Sequence, residues 1–128
     1  MRISSIGALG LLAITGAAVA TIVFVASMKP TSAGAFAAFS AWLLAPHATM
    51  AAALLLMERK GGSPVDWPVV AMVVVCAGGL LFLADLIYWH TDAQGAIAVL
   101  MAPFFQGVAL VVLLPIASAL NRKRNRPP

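Results

Sequence analysis

Three polar side chains interrupt long apolar stretches of the sequence and are the first candidates for chemistry: Asp85, His47 and Gln106. A polar or ionisable group is costly to place in hydrocarbon, so each of these residues is a candidate for a functional role. Asp85 could carry protons or bind a cation. Alternatively, it is an acid at the membrane interface, where it reaches headgroup water or bonds a nearby hydroxyl or N–H group.

His47 directly follows Pro46, whose missing N–H frees the carbonyl of Trp42 and kinks a helix. The imidazole could ligate haem or the magnesium of a chlorophyll-type pigment, since the alanines on either side leave room for a macrocycle. Gln106 is predicted at a similar depth, and a hydrogen bond between His47 and Gln106 would contribute about 0.6–2 kcal/mol. We expect this bond between helices, and we predict no bound cofactor.

A second polar cluster, rich in aromatic residues, comprises Tyr88, Trp89, His90, Asp92 and Gln94. It could bind a partner or a lipid headgroup. The alternative is an aromatic belt at the membrane interface followed by a helix cap, because Thr91 and Gln94 have the spacing of a capping box.

The sequence contains no HExxH, CxxC, Gly-x-Ser-x-Gly or phosphate-loop motif, so we predict neither an enzyme nor a metal site. Of the 128 residues, 62% are hydrophobic and 9% are charged. A soluble domain has about 45–50% apolar and about 25% charged residues. This composition excludes a soluble enzyme, a disordered tail and a disulfide-stapled secreted domain, and it predicts an integral membrane protein.

The apolar residues fall into four runs, at about 6–28, 33–57, 67–89 and 95–120. A hydrocarbon core about 30 Å thick needs roughly 20 residues per helix, so each run is long enough to span it. We predict an all-α, four-helix bundle with antiparallel up-down topology, forming one transmembrane domain over residues 1–120. Thr31, Ser32 and Asp66 are candidate N-caps, and the short connections predict that sequential helices are neighbours.

The first run also resembles a signal peptide, because Ala18-Val19-Ala20 matches a cleavage site. Its apolar stretch continues to about 23 residues, however, which is too long for a typical signal sequence. We therefore expect it to be retained as a membrane span.

Positive charges predict the orientation, because Lys and Arg concentrate on the cytoplasmic side of membrane proteins. Placing both termini in the cytoplasm leaves only Lys29 of the eight Lys and Arg residues outside. Half of the eight lie in the tail, residues 121–128, as Arg122, Lys123, Arg124 and Arg126. We expect this tail to contact anionic lipid headgroups rather than nucleic acid.

Small residues mark surfaces where helices approach closely in lipid. The second run is dense in alanine between Ala33 and Ala53, and the other runs carry Gly16, Gly79 and Gly107. We interpret these residues as packing surfaces of the bundle, and such smooth helices could also pack against other chains.

Two patterns near the end of the chain are a D-x-Q-G turn, Asp92-Ala93-Gln94-Gly95, and P-x-x-Q in the last helix, Pro103-Phe104-Phe105-Gln106. Over roughly its last third the chain resembles a group of uncharacterised small four-helix bacterial inner-membrane proteins that carry these patterns. That group has no agreed function, so the resemblance implies only a multi-pass protein of the bacterial inner membrane.

The sequence as a whole favours a non-catalytic accessory or stabilising subunit of a larger inner-membrane complex, for example a respiratory or photosynthetic one. Its partners would be other membrane subunits or further copies of itself. Two alternatives stay open: a small oligomeric transporter or proton-coupled carrier that uses Asp85, and a holin-like protein.

Overall fold

The computed structural model describes residues 3–60, 65–90 and 93–124. Four long helices account for most of these residues: α1 Ser5–Ser27, α2 Ala33–Lys60, α3 Asp66–Ala84 and α4 Ala93–Arg124. A π-helical turn, Asp85–Trp89, extends α3. The helices pack against one another, which confirms the predicted all-α four-helix bundle. All four helices are long and apolar enough to cross a membrane, so this is a multi-pass membrane protein.

The helices differ from the predicted runs mainly at their basic ends. α2 continues to Lys60 and α4 to Arg124, past the apolar residues at which the predicted runs stop. Cations in the last turn of a helix interact favourably with its partial negative end, which explains why the basic residues stay helical.

Serine side chains cap the first two helices. The Ser4 hydroxyl accepts a hydrogen bond from the Gly7 N–H at 2.9 Å, and the Ser32 hydroxyl accepts one from Ala35 at 3.0 Å, as predicted. The prediction for Asp66 is wrong. The helix begins at Asp66 itself, and Val65 occupies the N-cap without a side-chain bond. The capping box at Thr91 lies outside the described residues.

The order of the helices around the bundle differs from the predicted sequential one. α1 packs between α2 and α3, α3 packs against α4, and α2 meets α4 less extensively, so α2 and α3 lie diagonally. Gly10 shows the reason, because a Cβ there would lie 3.0–3.1 Å from both Leu54 of α2 and Val69 of α3. A close approach of α1 to both helices therefore separates α2 from α3.

The core consists of two apolar clusters, one at each end of the bundle. One contains Ile14, Met50, Leu54 and Met72 together with their neighbours. The other consists of Val25, Leu43, Leu83, Val99 and Ala102. Each helix contributes to both clusters, and a short stretch near the middle of the helix separates its two contributions.

Candidate functional site

A layer of buried polar side chains separates the two apolar clusters. Thr21 on α1, His47 on α2 and Gln106 on α4 are each at most 7% exposed. On α3 the corresponding position is Gly79, which is buried. Three helices thus contribute one polar side chain each to this polar layer, and α3 contributes a glycine. His47 and Gln106 were predicted from the sequence, whereas Thr21 was not.

The predicted hydrogen bond between His47 and Gln106 is not formed. The Nδ1 of His47 faces the Leu43 carbonyl of its own helix at 3.3 Å, and its Nε2 has no hydrogen-bond partner among the described residues. Gln106 packs instead over Gly79 of α3. The reason lies in the helix order, because α2 directs its buried face mainly towards α1, whereas α4 packs chiefly on α3.

The alanines beside His47 do not surround its ring. Ala45 and Ala48 are exposed on the outside of α2, whereas the His47 side chain is 3% exposed. The space that these alanines leave is therefore on the outer surface, and not next to the imidazole.

Asp85 opens the π turn at the end of α3. Its Oδ2 lies 3.0 Å from Nδ1 of His90, and about half of its side-chain surface is exposed. The turn is closed by a hydrogen bond from the His90 N–H to the Asp85 carbonyl at 2.9 Å. The carboxylate is therefore half exposed and paired with a ring nitrogen of His90.

The outer cluster is spread around this turn. Tyr88 makes an edge-to-face contact with Phe24 of α1, with ring centroids 6.0 Å apart. Trp89, His90 and Gln94 are exposed, and Asp92 lies outside the described residues. The structure thus joins His90 to Asp85, and Tyr88 to α1, without gathering the cluster into one pocket.

The basic tail continues α4. Arg122, Lys123 and Arg124 are exposed in its last turn, and Arg124 forms an ion pair with Asp66 at 3.6 Å. Arg126 lies outside the described residues.

An exposed surface of small residues lies on α2, and it consists mostly of alanines that were interpreted from the sequence as packing surfaces of the bundle. Along the outside of α2, spaced alternately by four and three residues, run six exposed small residues: Gly34, Ala38, Ala41, Ala45, Ala48 and Ala52. We call them the small-residue face. At 3.6 residues per turn this face is directly opposite the buried face of Leu43, His47, Met50 and Leu54.

The other helices present a different surface to the lipid. Their exposed residues include many large side chains, such as Leu9 and Leu12 of α1, Leu81 of α3 and Val111 of α4. In α2 the exposed large hydrophobic residues are Trp42 and Leu56. The interpretation of the α2 alanines as packing surfaces within the bundle is therefore wrong for the five alanines of this face. The regular spacing of Leu43, His47, Met50 and Leu54 could have revealed it. The same interpretation is also wrong for Gly16 and Gly107, where an added Cβ would meet no atom within 4 Å.

No family model, no curated protein and no solved structure matches this chain.

Proposed function

We propose that the protein is a non-catalytic subunit of a larger membrane assembly, and that it docks on another membrane protein through the small-residue face of α2. The observation that supports this proposal is the exposure of all six residues of that face. We place the protein in the bacterial inner membrane with both termini in the cytoplasm.

The physics of helix association in lipid favours this surface as a contact. Lipid tails are as apolar as leucine, so helices associate through van der Waals packing, which improves when small residues let backbones approach closely. Between Gly34 and Ala52 the face extends for about 27 Å at 1.5 Å per residue. This length nearly equals the hydrocarbon thickness of about 30 Å, so one partner helix can pack along all of it.

The rest of the chain fits a supporting role. The described residues outside the helices form only short segments at the ends of the bundle. Among all the described residues there is no group of three or more His, Cys, Asp or Glu side chains that could bind a metal ion. These features agree with a subunit that contributes packing contacts to an assembly.

The transport alternative lacks a supporting geometry. Asp85 is half exposed and paired with His90, while His47 and Gln106 are buried in the polar layer and make no hydrogen bond to each other. We therefore propose the subunit role alone.

The experiment compares bulky substitutions on and off the face. The Ala41→Leu and Ala48→Leu variants each enlarge the face, and Ala77→Leu makes the same change at an exposed position of α3. After extraction in mild detergent, blue-native electrophoresis should show the wild type and Ala77→Leu in a complex larger than the monomer. Both face variants should migrate as free monomer.

Two results would contradict the proposal. If the wild type migrated only as a free monomer, the protein would not be part of a larger assembly. Co-purification of a tagged with an untagged copy, and of no other protein, would replace the subunit role by self-association.

A further inference from the structure

An apolar groove lies between α2 and α4, the two neighbouring helices with the least extensive contact. Its volume is about 860 Å³, and residues from both helices line it, including Trp42, Pro46, Ala53, Phe104 and Val111. Gly107 also lines the groove, and a Cβ added there would meet no atom within 4 Å. The missing side chain thus helps to keep the groove open.

A second hollow of about 750 Å³ lies towards the basic end of α4. Its lining residues are Leu114, Pro115, Ser118, Ala119, Arg122 and Lys123. Leu114 and Pro115 line both cavities. The two hollows therefore adjoin along α4. The one between α2 and α4 is apolar, and the second ends at a hydroxyl and two cations.

The two cations at the end of the second hollow are available to a ligand. The ion pairs of the described residues join Arg124 to Asp66 and His90 to Asp85. Arg122 and Lys123 take part in neither pair and are exposed. Together with the Ser118 hydroxyl they present hydrogen-bond donors to an anion with several oxygen atoms.

We propose that the groove binds one anionic phospholipid, with an acyl chain between α2 and α4 and the phosphate against Ser118, Arg122 and Lys123. Basic pockets beside membrane helices are suited to anionic headgroups. The dimensions also agree, because the groove extends from Met101 to Pro115, about 21 Å at 1.5 Å per residue. One leaflet of the hydrocarbon core is about 15 Å deep, so the groove can hold the length of an acyl chain.

This site is distinct from the proposed docking surface. It lies on the flank of α2 towards α4, whereas the small-residue face points away from the bundle, and the two share only Ala45. The lipid site and the docking surface therefore adjoin at Ala45 and occupy different flanks of α2.

The test measures lipid binding to the purified full chain by native mass spectrometry, with phosphatidylglycerol and phosphatidylcholine as probes. We expect the wild type to retain phosphatidylglycerol preferentially. The double variant Arg122→Gln, Lys123→Gln should lose affinity for phosphatidylglycerol about 30-fold, which corresponds to about 2 kcal/mol at 1.4 kcal/mol per factor of ten. The control is Arg59→Gln, Lys60→Gln, which removes two exposed cations from the end of α2 that do not line either hollow, and it should weaken phosphatidylglycerol binding clearly less.

A second pair of variants tests the apolar part of the site. Gly107→Leu fills the groove, whereas Gly16→Leu adds the same side chain at an exposed position of α1 where a Cβ also meets no atom within 4 Å. We expect Gly107→Leu to weaken phosphatidylglycerol binding and Gly16→Leu to leave it unchanged. The proposal would be overturned if the Arg122/Lys123 and Arg59/Lys60 double variants lost the same affinity for phosphatidylglycerol. Equal binding of the two lipids by the wild type would also overturn it.

Discussion

The side-chain amide of Gln106 on α4 packs directly over Gly79 on α3, in the polar layer between the two apolar clusters. A Cβ at Gly79 would overlap the Nε2 and Cδ atoms of this amide. The glycine thus gives the Gln106 side chain room between α3 and α4, which form the most extensive helix contact of the described structure.

Gly79→Ala should therefore destabilise the bundle by about 1 kcal/mol, the low end of the usual cost of overpacking, because a cavity of about 310 Å³ beside Gly79 leaves the Gln106 amide room to move. Gly78→Ala is the matched control, because a Cβ at Gly78 meets no atom within 4 Å. The measurement is the free energy of unfolding in an SDS titration of the purified protein. Combining Gly79→Ala with Gln106→Ala should restore much of the loss, and no recovery in the double variant would argue against the contact.

Hydropathy predicted the helices well because a membrane span needs a minimum length of apolar residues, and all four runs supply it. It could not predict their neighbours. A short connection such as that between α2 and α3 permits either adjacent or diagonal packing, and the choice is made by close contacts such as that of Gly10 with Leu54 and Val69. In α1, α3 and α4, large apolar residues occur on all sides and give little indication of which face is buried.

The site residues show the same limit. His47 and Gln106 lie at similar depth, but depth alone does not make a contact when α2 and α4 face different helices. Asp85 and His90 are five residues apart, and side chains at this spacing are not neighbours on an α-helix. Their pairing depends on the π turn, whose wider period the sequence pattern does not reveal.

Trp42 connects α2 to α4, the neighbouring helices with the least extensive contact. Its indole N–H donates a hydrogen bond to the Leu100 carbonyl at 2.7 Å, one turn before Pro103. Trp42→Phe keeps the aromatic ring and removes this donor, so we expect a loss of about 0.6–2 kcal/mol in the free energy of unfolding. Trp67→Phe, at another exposed tryptophan, should have a smaller effect. Equal effects in the SDS titration would show that the hydrogen bond adds nothing to stability.

Ser4 ties the start of α1 to the end of α2. Its hydroxyl caps Gly7 and donates to Glu58, whose other carboxylate oxygen accepts the Ser4 N–H at 3.1 Å. Ser4→Ala should cost about 0.5–2 kcal/mol, the usual range for losing an N-cap, and amides in the first turn of α1 should exchange faster with solvent. Ser5→Ala is the neighbouring control. If hydrogen exchange in this turn were the same in both variants, the cap would have no measurable role.

The contacts at the ends of the bundle place most of the described positive charges on one side. Ser4 meets Glu58, and Asp66 pairs with Arg124, so the basic ends of α2 and α4 lie together, with Lys29 at the opposite end. Because positive charge is retained in the cytoplasm, alkaline phosphatase fused after Pro128 should be inactive and a fluorescent protein fused there should fluoresce. Alkaline phosphatase inserted after Lys29 should be active, and the reverse pattern of activities would invert the topology.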